Sequence, residues 1–221
     1  LKAKNEQLRV DLLRSISHDL RTPLTSISGN AGILLTNDEI LTKEKKQSLY
    51  TDIYDDSLWL INLVENLLSV TRIENGTMKL NISPQIIEDV IYEALDHVNR
   101  KKIEHRIDVE IDDEFLMGDM DVRLIVQVII NIVDNAIKYT PKGSNIMIRS
   151  YKKEGMIYIE ISDDGPGIPN DKKEKIFEKF YSANNQIVDS KRSLGLGLAL
   201  CKSIINAHGG TISVSDHKPH G

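Results

Sequence analysis

The feature of this chain that most restricts its fold is a change in hydrophobic period near Gly76. Before that residue, apolar side chains recur every three or four positions from Leu8 to Leu35 and again from Leu49 to Leu67, as on one face of an α-helix. The polar stretch Thr36–Glu39 separates the two stripes. The pattern predicts a helical hairpin, and since two helices alone cannot enclose a core, we expect two hairpins to pair as a four-helix bundle. In the alternative arrangement, the hairpin packs on the rest of its own chain.

Beyond Gly76 the sequence alternates between strand-like and helix-like stretches, which predicts an α+β domain. Strands are predicted at Met78–Ile82, Ile107–Ile111, Ile146–Tyr151, Met156–Ile161 and Thr211–Ser215. Helices are predicted at Ser83–Val98, Asp119–Tyr139, Asp171–Phe180 and Gly195–His208, the first because proline favours the opening turn of a helix. We therefore expect a helical-hairpin domain at 1–76 and, at 77–221, a two-layer α/β sandwich with helices on one face of a mixed sheet.

The charge and the cysteine content argue against several classes of function. The formal net charge is -5 and no concentrated basic face is visible, so we expect no nucleic-acid partner. The single cysteine, Cys201, can form no internal disulfide, and its apolar neighbours predict a buried residue. No stretch approaches the ~20 apolar residues of a membrane helix, so we expect no membrane contact within this chain. Because Leu1 already lies in a helical pattern, we expect the chain to be part of a longer protein.

The first motif with chemical meaning surrounds His18 on the first predicted helix. His18 lies almost opposite the apolar stripe, which predicts that the ring faces solvent. Asp19 is placed to accept a hydrogen bond from one ring nitrogen and to make the other more nucleophilic. Thr22, four residues on, shares the face of His18, and Pro23 predicts a kink beside it. The alternative interpretation of an isolated His-Asp pair is a solvated surface histidine.

The second motif places amides in an apolar helix. Asn131 and Asn135 share one helical face, and Lys138 follows about one turn later. Buried amides are costly unless they are satisfied, and a magnesium–phosphate group would satisfy them: an amide oxygen binds the metal and the lysine neutralises phosphate charge. The alternative is that both amides lie on the protein surface.

Two glycine-rich segments complete the set of motifs. The first, Asp163–Ile168, follows a predicted strand and would let a flat ligand approach the backbone, with Asp163 accepting a hydrogen bond from an amino group. The second, Ser193–Ala199, opens a predicted helix, where backbone N–H groups favour phosphate. Either segment alone is equally typical of an ordinary turn.

Taken in this order, the motifs resemble those of sensor histidine kinases of bacterial two-component systems, which join a His-containing dimerisation domain to an ATP-binding domain of the GHKL type. S-H-D-L-R-T-P-L-T-S-I resembles their histidine motif, and N-I-V-D-N-A-I-K-Y resembles their asparagine motif. D-D-G-P-G-I-P, I-F-E-K-F-Y and G-L-G-L-A-L resemble the first glycine motif, the phenylalanine motif and the second glycine motif. The stretches around L-V-E-N-L-L-S-V-T-R-I-E-N-G and V-I-I-N-I-V-D-N-A-I-K-Y-T-P resemble potassium-responsive Kdp-type sensors within this class.

The resemblance implies an ATP- and Mg²⁺-dependent kinase that phosphorylates its own His18 and passes the phosphoryl group to an aspartate of a response-regulator receiver domain. Asp19 would activate His18, and Thr22 would orient the water that dephosphorylates the regulator. Asn135 would bind Mg²⁺, Asp163 would recognise the adenine amino group, and the hairpin would form the homodimer. The implied nucleotide-binding residues are Asn131, Asn135, Lys138, Tyr139, Asp163, Gly165, Gly167, Ile168, Phe180, Gly195, Gly197 and Leu198.

Two other functions fit parts of the pattern, and two positions depart from it. An ATP hydrolase of the same superfamily would need a glutamate base where this chain has Asn131, and an amide cannot take a proton from water. A catalytically inactive docking module would not need His18. Ser193 stands where many relatives have glycine, and Ser182 where many have an arginine that Lys191 or Arg192 would replace. The resemblance also implies the cytoplasmic portion of a membrane-anchored sensor.

The other histidines show no spacing typical of metal ligands, and we expect all of them on the surface. They are His97, His105, His208, His217 and His220.

Overall fold

The computed structural model describes residues 2–37, 39–74, 79–98, 104–178, 181 and 195–217. The chain divides into two compact units, with the main boundary in the sequence between Ser69 and Val70. The predicted domain boundary at Gly76 lies outside the described residues. Within the described part of the chain, no helix combines the length and the apolar character needed to cross a membrane.

The first unit is built on two long helices, α1 (Lys2–Asn37) and α2 (Lys43–Glu74). The turn between them closes where the sequence becomes polar: the N–H groups of Ile40 and Leu41 both donate to the carbonyl of Asn37. Thr42 caps the N-terminus of α2, since its hydroxyl accepts a hydrogen bond from the Lys45 N–H at 3.3 Å. The two predicted helices are thus confirmed.

An apolar face remains on the surface of this unit. In α2, Leu49 and Leu63 are buried. Several other apolar side chains of the two helices are between 38% and 54% exposed: Leu24, Ile33, Leu58, Ile61, Val64 and Leu68. Exposed apolar side chains in such number along two helices are typical of an interaction surface.

The second unit is the predicted α+β domain. Its strands are β1 (Ser83–Ile86), β2 (Arg106–Ile111), β3 (Met117–Met120), β4 (Asn145–Lys153) and β5 (Met156–Asp163). Its helices are α3 (Ile87–Val98), α4 (Val122–Tyr139) and α5 (Gly197–Ala207), with a 3₁₀-helix at Lys175–Phe177. The main sheet has the order β2-β4-β5 and is mixed, because β2 runs parallel to β4 and β5 antiparallel to it. Strands β1 and β3 form a separate antiparallel pair.

The core of this domain lies between the main sheet and the three helices. Alternation along β4 buries Ile146 and Ile148 completely. Val133 of α4 and Leu200 of α5 are also fully buried and belong to one continuous apolar cluster with Ile148. Each such side chain contributes roughly 1.5–3 kcal/mol relative to exposure. The mixed sheet covered by helices confirms the predicted two-layer architecture.

The start of this domain was predicted wrongly. Residues 79–82 form no strand, and Ser83–Ile86, expected to open a helix, form β1 instead. The reason is long-range pairing: β1 lies antiparallel to β3, with Pro84 opposite Asp119. Strand β3 in turn occupies the predicted start of α4, which begins only at Val122.

Three further boundaries differ from the prediction. Residues 171–174 form turns, and only Lys175–Phe177 are helical in the described part of the segment expected to form a helix. Helix α5 begins at Gly197 rather than Gly195, whose φ of +63° is incompatible with a right-handed helix. Residues 211–215 form no strand.

Candidate functional site

The end of β5 presents one of the predicted carboxylates. Oδ1 of Asp163 accepts a hydrogen bond from the Gly165 N–H at 2.9 Å, which closes a tight turn after the strand. A Cβ atom on Gly165 would lie 2.7 Å from Asp163 Oδ1 and 2.7 Å from Thr140 Cγ2. Only glycine fits here, and the turn therefore lies directly against the C-terminal end of α4.

The neighbouring carboxylate, Asp164, has a different role. It accepts hydrogen bonds from the backbone N–H of Asn145 at 3.0 Å and from its side-chain amide at 2.9 Å. These bonds, the backbone one first, hold the pKa of Asp164 below its usual value. Asp164 thus fixes the turn to β4, whereas the second oxygen of Asp163 accepts no hydrogen bond from a described residue.

Helix α4 carries the predicted amides and lysine on partly buried positions. Asn131, Asn135 and Lys138 are all half-buried. Nδ2 of Asn131 is fully buried and has no hydrogen-bond partner among the described residues. Nζ of Lys138 lies 5.3 Å from the ring centroid of Tyr139, which is exposed.

The start of α5 lies against Asn131. A Cβ atom on Gly197, the first residue of α5, would be 3.8 Å from Asn131 Oδ1. Gly195 and Gly167 have φ values of +63° and +71°, which glycine adopts without strain. A glycine-rich helix N-terminus of this kind fits a phosphate group, since the backbone N–H groups of that turn carry partial positive charge.

The only cysteine of the chain, Cys201, lies in the core next to Asn131. Cys201 is fully buried, its thiol lies 3.8 Å from the Val128 carbonyl, and burial raises its pKa to about 12. The amide of Asn131 opposes that shift slightly. The two side chains are therefore neighbours, although their contact does not meet the geometry of a hydrogen bond for Nδ2.

The phenylalanine motif is described only in part. Ile176 is buried, and Phe177 lies with its ring centroid 5.7 Å from Lys202 Nζ of α5. Phe180 lies outside the described residues. The same is true of four other positions singled out from the sequence, namely Ser182, Lys191, Arg192 and Ser193.

The histidine motif lies within α1, which continues through Pro23. The side chains of His18 and Asp19 are outside the described part of the structure, so their roles remain predictions. Thr22 is exposed, whereas Pro23 is fully buried. Leu20, Arg21 and Leu24 line an open groove along the helix.

The structure therefore brings together two groups of predicted residues. Asp163 and Gly165 meet the end of α4, and Asn131 meets Gly197 of α5. Ile168 and Leu198 are half-buried. No cluster of three His, Cys, Asp or Glu side chains that could hold a metal ion occurs among the described residues. Magnesium bound with nucleotide needs only one or two protein ligands, so Asn135 remains a candidate.

One residue of this site, Thr140, was not predicted from the sequence. Thr140 is buried and its hydroxyl donates to the Ala136 carbonyl at 2.7 Å; its place directly after the asparagine motif was the available signal. The expectation of surface histidines is wrong for His105, which is only 7% exposed, and for the half-buried His208. It is confirmed for His97 and His217, and His220 lies outside the described residues.

Comparison with known proteins gives a consistent result for both units. Residues 8–76 match the family described as "His Kinase A (phospho-acceptor) domain", and residues 120–221 match "Histidine kinase-, DNA gyrase B-, and HSP90-like ATPase". The chain is 45% identical over 96% of its length to the sensor protein KdpD of Clostridium acetobutylicum, and covers 24% of that protein. It is 30% identical over 99% of its length to the signal transduction histidine-protein kinase/phosphatase MprB of Mycolicibacterium smegmatis, and covers 44% of it.

A solved structure supports the same relationship. The catalytic domain of the histidine kinase ThkA superimposes with a TM-score of 0.54 at 30% sequence identity, over 64% of this chain and 90% of that domain. The chain spans about a quarter of the length of the first of these curated relatives and less than half of the length of the second.

Proposed function

This chain belongs to the sensor histidine kinases, and we propose from that premise that it binds ATP in its α+β domain and phosphorylates His18 in its helical unit. The observation that carries the proposal is the glycine-rich start of α5, which lies beside the side chain of Asn131 on α4. A phosphate group there would accept hydrogen bonds from the first backbone N–H groups of the helix.

The nucleotide would lie along α4. The adenine amino group would donate to the free oxygen of Asp163, and Gly165 and Gly167 would admit the flat ring close to the backbone. The side chain of Lys138 would neutralise phosphate charge. Asn135 would bind Mg²⁺ through its amide oxygen, and the metal would neutralise charge that develops on the phosphates.

Phosphoryl transfer would then go to the histidine. A ring nitrogen of His18 attacks the γ-phosphorus, the bond to the β–γ bridging oxygen breaks, ADP leaves, and Asp19 takes up the ring proton. The amide of Asn131 cannot act as a base towards water, so the site favours transfer over hydrolysis. The phosphohistidine would next transfer its phosphoryl group to an aspartate carboxylate of a response-regulator receiver domain.

Dephosphorylation of the same regulator is a second activity of the helical unit. Thr22 is exposed on α1, one turn beyond His18, where a docked receiver domain would meet both residues. The name of the relative MprB, a kinase/phosphatase, supports this combination of activities.

The helical unit would act as a homodimer. Its exposed apolar side chains lie on both α1 and α2, and pairing with a second copy would remove them from water in a four-helix bundle. The 45% identity to KdpD further supports a Kdp-type sensor, in which this chain would be the cytoplasmic part of a membrane-anchored protein.

The decisive experiment is incubation with γ-labelled ATP and Mg²⁺, followed by mapping of the labelled residue. Phosphoramidates are labile in acid and stable in base, so label on His18 should be lost in acid and survive in alkali. His18→Gln should abolish the label, whereas His97→Gln, at an exposed histidine of α3, should retain it.

Two outcomes would contradict the proposal. Acid-labile label in His18→Gln at the unsubstituted rate would exclude His18 as the acceptor. Rapid release of inorganic phosphate without protein label would instead favour an ATP hydrolase.

A further inference from the structure

Helices α4 and α5 are held in antiparallel register by contacts along their length. Gly197 at the start of α5 lies beside Asn131, and Cys201 contacts the carbonyl of Val128. At the far end, the ring of His208 accepts a hydrogen bond through Nε2 from the backbone N–H of Asp121 at 3.0 Å. Residue numbers thus rise on α5 as they fall on α4, and the last contact is the one made by a directional hydrogen bond.

The ring of His208 makes bonds on both sides. Nδ1 lies 2.8 Å from the carbonyl of Ile204, which can only accept, so Nδ1 carries the hydrogen and Nε2 is the acceptor. The ring is thereby oriented by its own helix and holds the N-cap residue of the neighbouring one. The ring is half-buried. Among the described residues, His208 Nε2 is the acceptor for the Asp121 N–H.

Asp121 joins a third segment to this contact. Its carboxylate is almost fully buried and accepts a hydrogen bond from the backbone N–H of Asn81 at 3.0 Å. Nε of Arg123 lies 3.9 Å from the same carboxylate. The start of α4 is therefore a fixed point, to which His208 ties the end of α5.

We propose that His208 is a positioning residue that sets the axial register of α5 on α4 and so holds the glycine turn of Gly195–Gly197 beside Asn131. The inference rests on the proposed nucleotide function. His208 lies about 16 Å from Gly197 along the helix axis, too far to contact a phosphate bound there. An axial shift of α5 at His208 would reach Gly197, because the backbone of a helix is rigid along its axis. The adenine end of the site lies on β5, which is not attached to α5, and would not shift with it.

Two amide variants separate the bonds of the ring. His208→Gln places a carbonyl oxygen near the position of Nε2 and can still accept from the Asp121 N–H. His208→Asn can replace only the Nδ1 bond to Ile204, and leaves the Asp121 N–H without its acceptor. His97→Asn, on the exposed surface of α3, is the matched control.

The affinity of each variant of this chain is measured for ATP and for adenosine, both with Mg²⁺, together with the KM and kcat of autophosphorylation. All measurements are made at a temperature well below the unfolding midpoint. We expect His208→Asn to weaken ATP binding and raise KM about five- to tenfold, with adenosine binding and kcat within about twofold. His208→Gln and His97→Asn should stay within about twofold for both ligands.

Other results overturn the inference. Unchanged ATP affinity in His208→Asn would do so, as would an equal loss for ATP and adenosine, or a loss in His208→Gln as large as in His208→Asn. If His208→Asn does not fold, amide hydrogen exchange in the unsubstituted protein replaces it: since coupling is reciprocal, ATP should slow exchange at Asp121, and no change there overturns the inference. Failure of the unsubstituted chain to bind ATP would instead overturn the proposed function itself.

Discussion

Two adjacent carboxylates at the end of β5 show how single residues acquire separate roles. Asp164 accepts hydrogen bonds from the backbone N–H and the side-chain amide of Asn145, while Asp163 accepts one from Gly165 and, among the described residues, has no partner for its second oxygen. The difference comes from their partners, since the side chains are chemically identical. It supports Asp163 as the residue that recognises the nucleotide base.

Asp163 should therefore confer a preference for ATP over GTP. Adenine presents an amino donor to the carboxylate, whereas guanine presents a carbonyl, and an unpaired buried charged acceptor costs ~2 kcal/mol, or about thirtyfold in affinity. Asp163→Asn should reduce this preference to less than about fivefold because an amide can donate as well as accept. Calorimetric titration with both nucleotides measures it, with Glu160→Gln, at an exposed position of β5, as the control. Equal affinities in the unsubstituted chain would remove Asp163 from this role.

Cys201 provides a prediction about pH. Burial raises its pKa to about 12, whereas an unfolded thiol loses its proton near pH ~8.5. Its contribution to stability is therefore complete below that value and is lost as pH rises towards 12, because only the unfolded chain gains by ionising. From about pH 9 to about pH 10.5, the free energy of unfolding should fall faster in the unsubstituted chain than in Cys201→Ala, by up to ~1.4 kcal/mol per pH unit. Denaturant titrations at each pH measure both slopes, and parallel slopes would contradict the prediction.

At the scale of elements, α4 connects the two ends of the candidate site. Its C-cap residue, Thr140, contacts the turn that holds Asp163. Asn131, in the middle of the helix, lies beside the start of α5. One helix thereby fixes the distance between the groups that we propose to recognise the base and to bind phosphate. Pre-organised spacing of this kind lowers the entropic cost of binding an extended ligand.

The exposed face of α1 gives a prediction at the same scale. A receiver domain docked at His18 would also meet Thr22, whose hydroxyl could hold a water in line with the acyl phosphate. Thr22→Ala should keep autophosphorylation and phosphotransfer within about threefold and reduce regulator dephosphorylation by about tenfold or more.

The control is Thr25→Ala, because Thr25 is also exposed on α1 and its hydroxyl donates to the Arg21 carbonyl at 2.8 Å. All three rates should be close to normal in that variant. The rates are measured on one preparation with a cognate regulator, and an equal loss of all three in Thr22→Ala would show a general distortion of the helix.

At the scale of the whole molecule, the exposed apolar face of the helical unit is the basis of the proposed homodimer. Ile61 is 54% exposed and Leu68 49% exposed on the same helix. Burial of one such side chain contributes roughly 1.5–3 kcal/mol, and a two-fold interface counts each contact twice. The proposed interface would therefore bury several side chains of this size from each copy.

Ile61→Glu should shift the chain from dimer to monomer, because a carboxylate at this position must be desolvated in the bundle. Sedimentation equilibrium at micromolar concentration measures the dissociation constant, which should rise about a hundredfold or more. Lys45→Glu, exposed near the start of α2, should leave it within about threefold. A monomeric unsubstituted chain, or an unchanged dimer in Ile61→Glu, would contradict the prediction.

The sequence by itself determined the two-part plan, the long helices, the mixed sheet and the order of the motifs. These features depend on residues that are close together in the sequence: the hydrophobic period, the turn residues and the short motifs. The Glu154-Gly155 turn between β4 and β5 illustrates this, since both residues have the positive φ values that a two-residue hairpin requires.

Only the tertiary structure decided what depends on partners far away in the chain. Ser83-Pro84 is a sound signal for a helix start, yet hydrogen bonds to Met117–Met120 make it a strand. Burial of His105 and the bond from Asp121 to His208 also join segments that no local pattern relates. The physical reason is that pairing and desolvation are properties of the assembled chain, and a single polar residue carries no periodic signal of either.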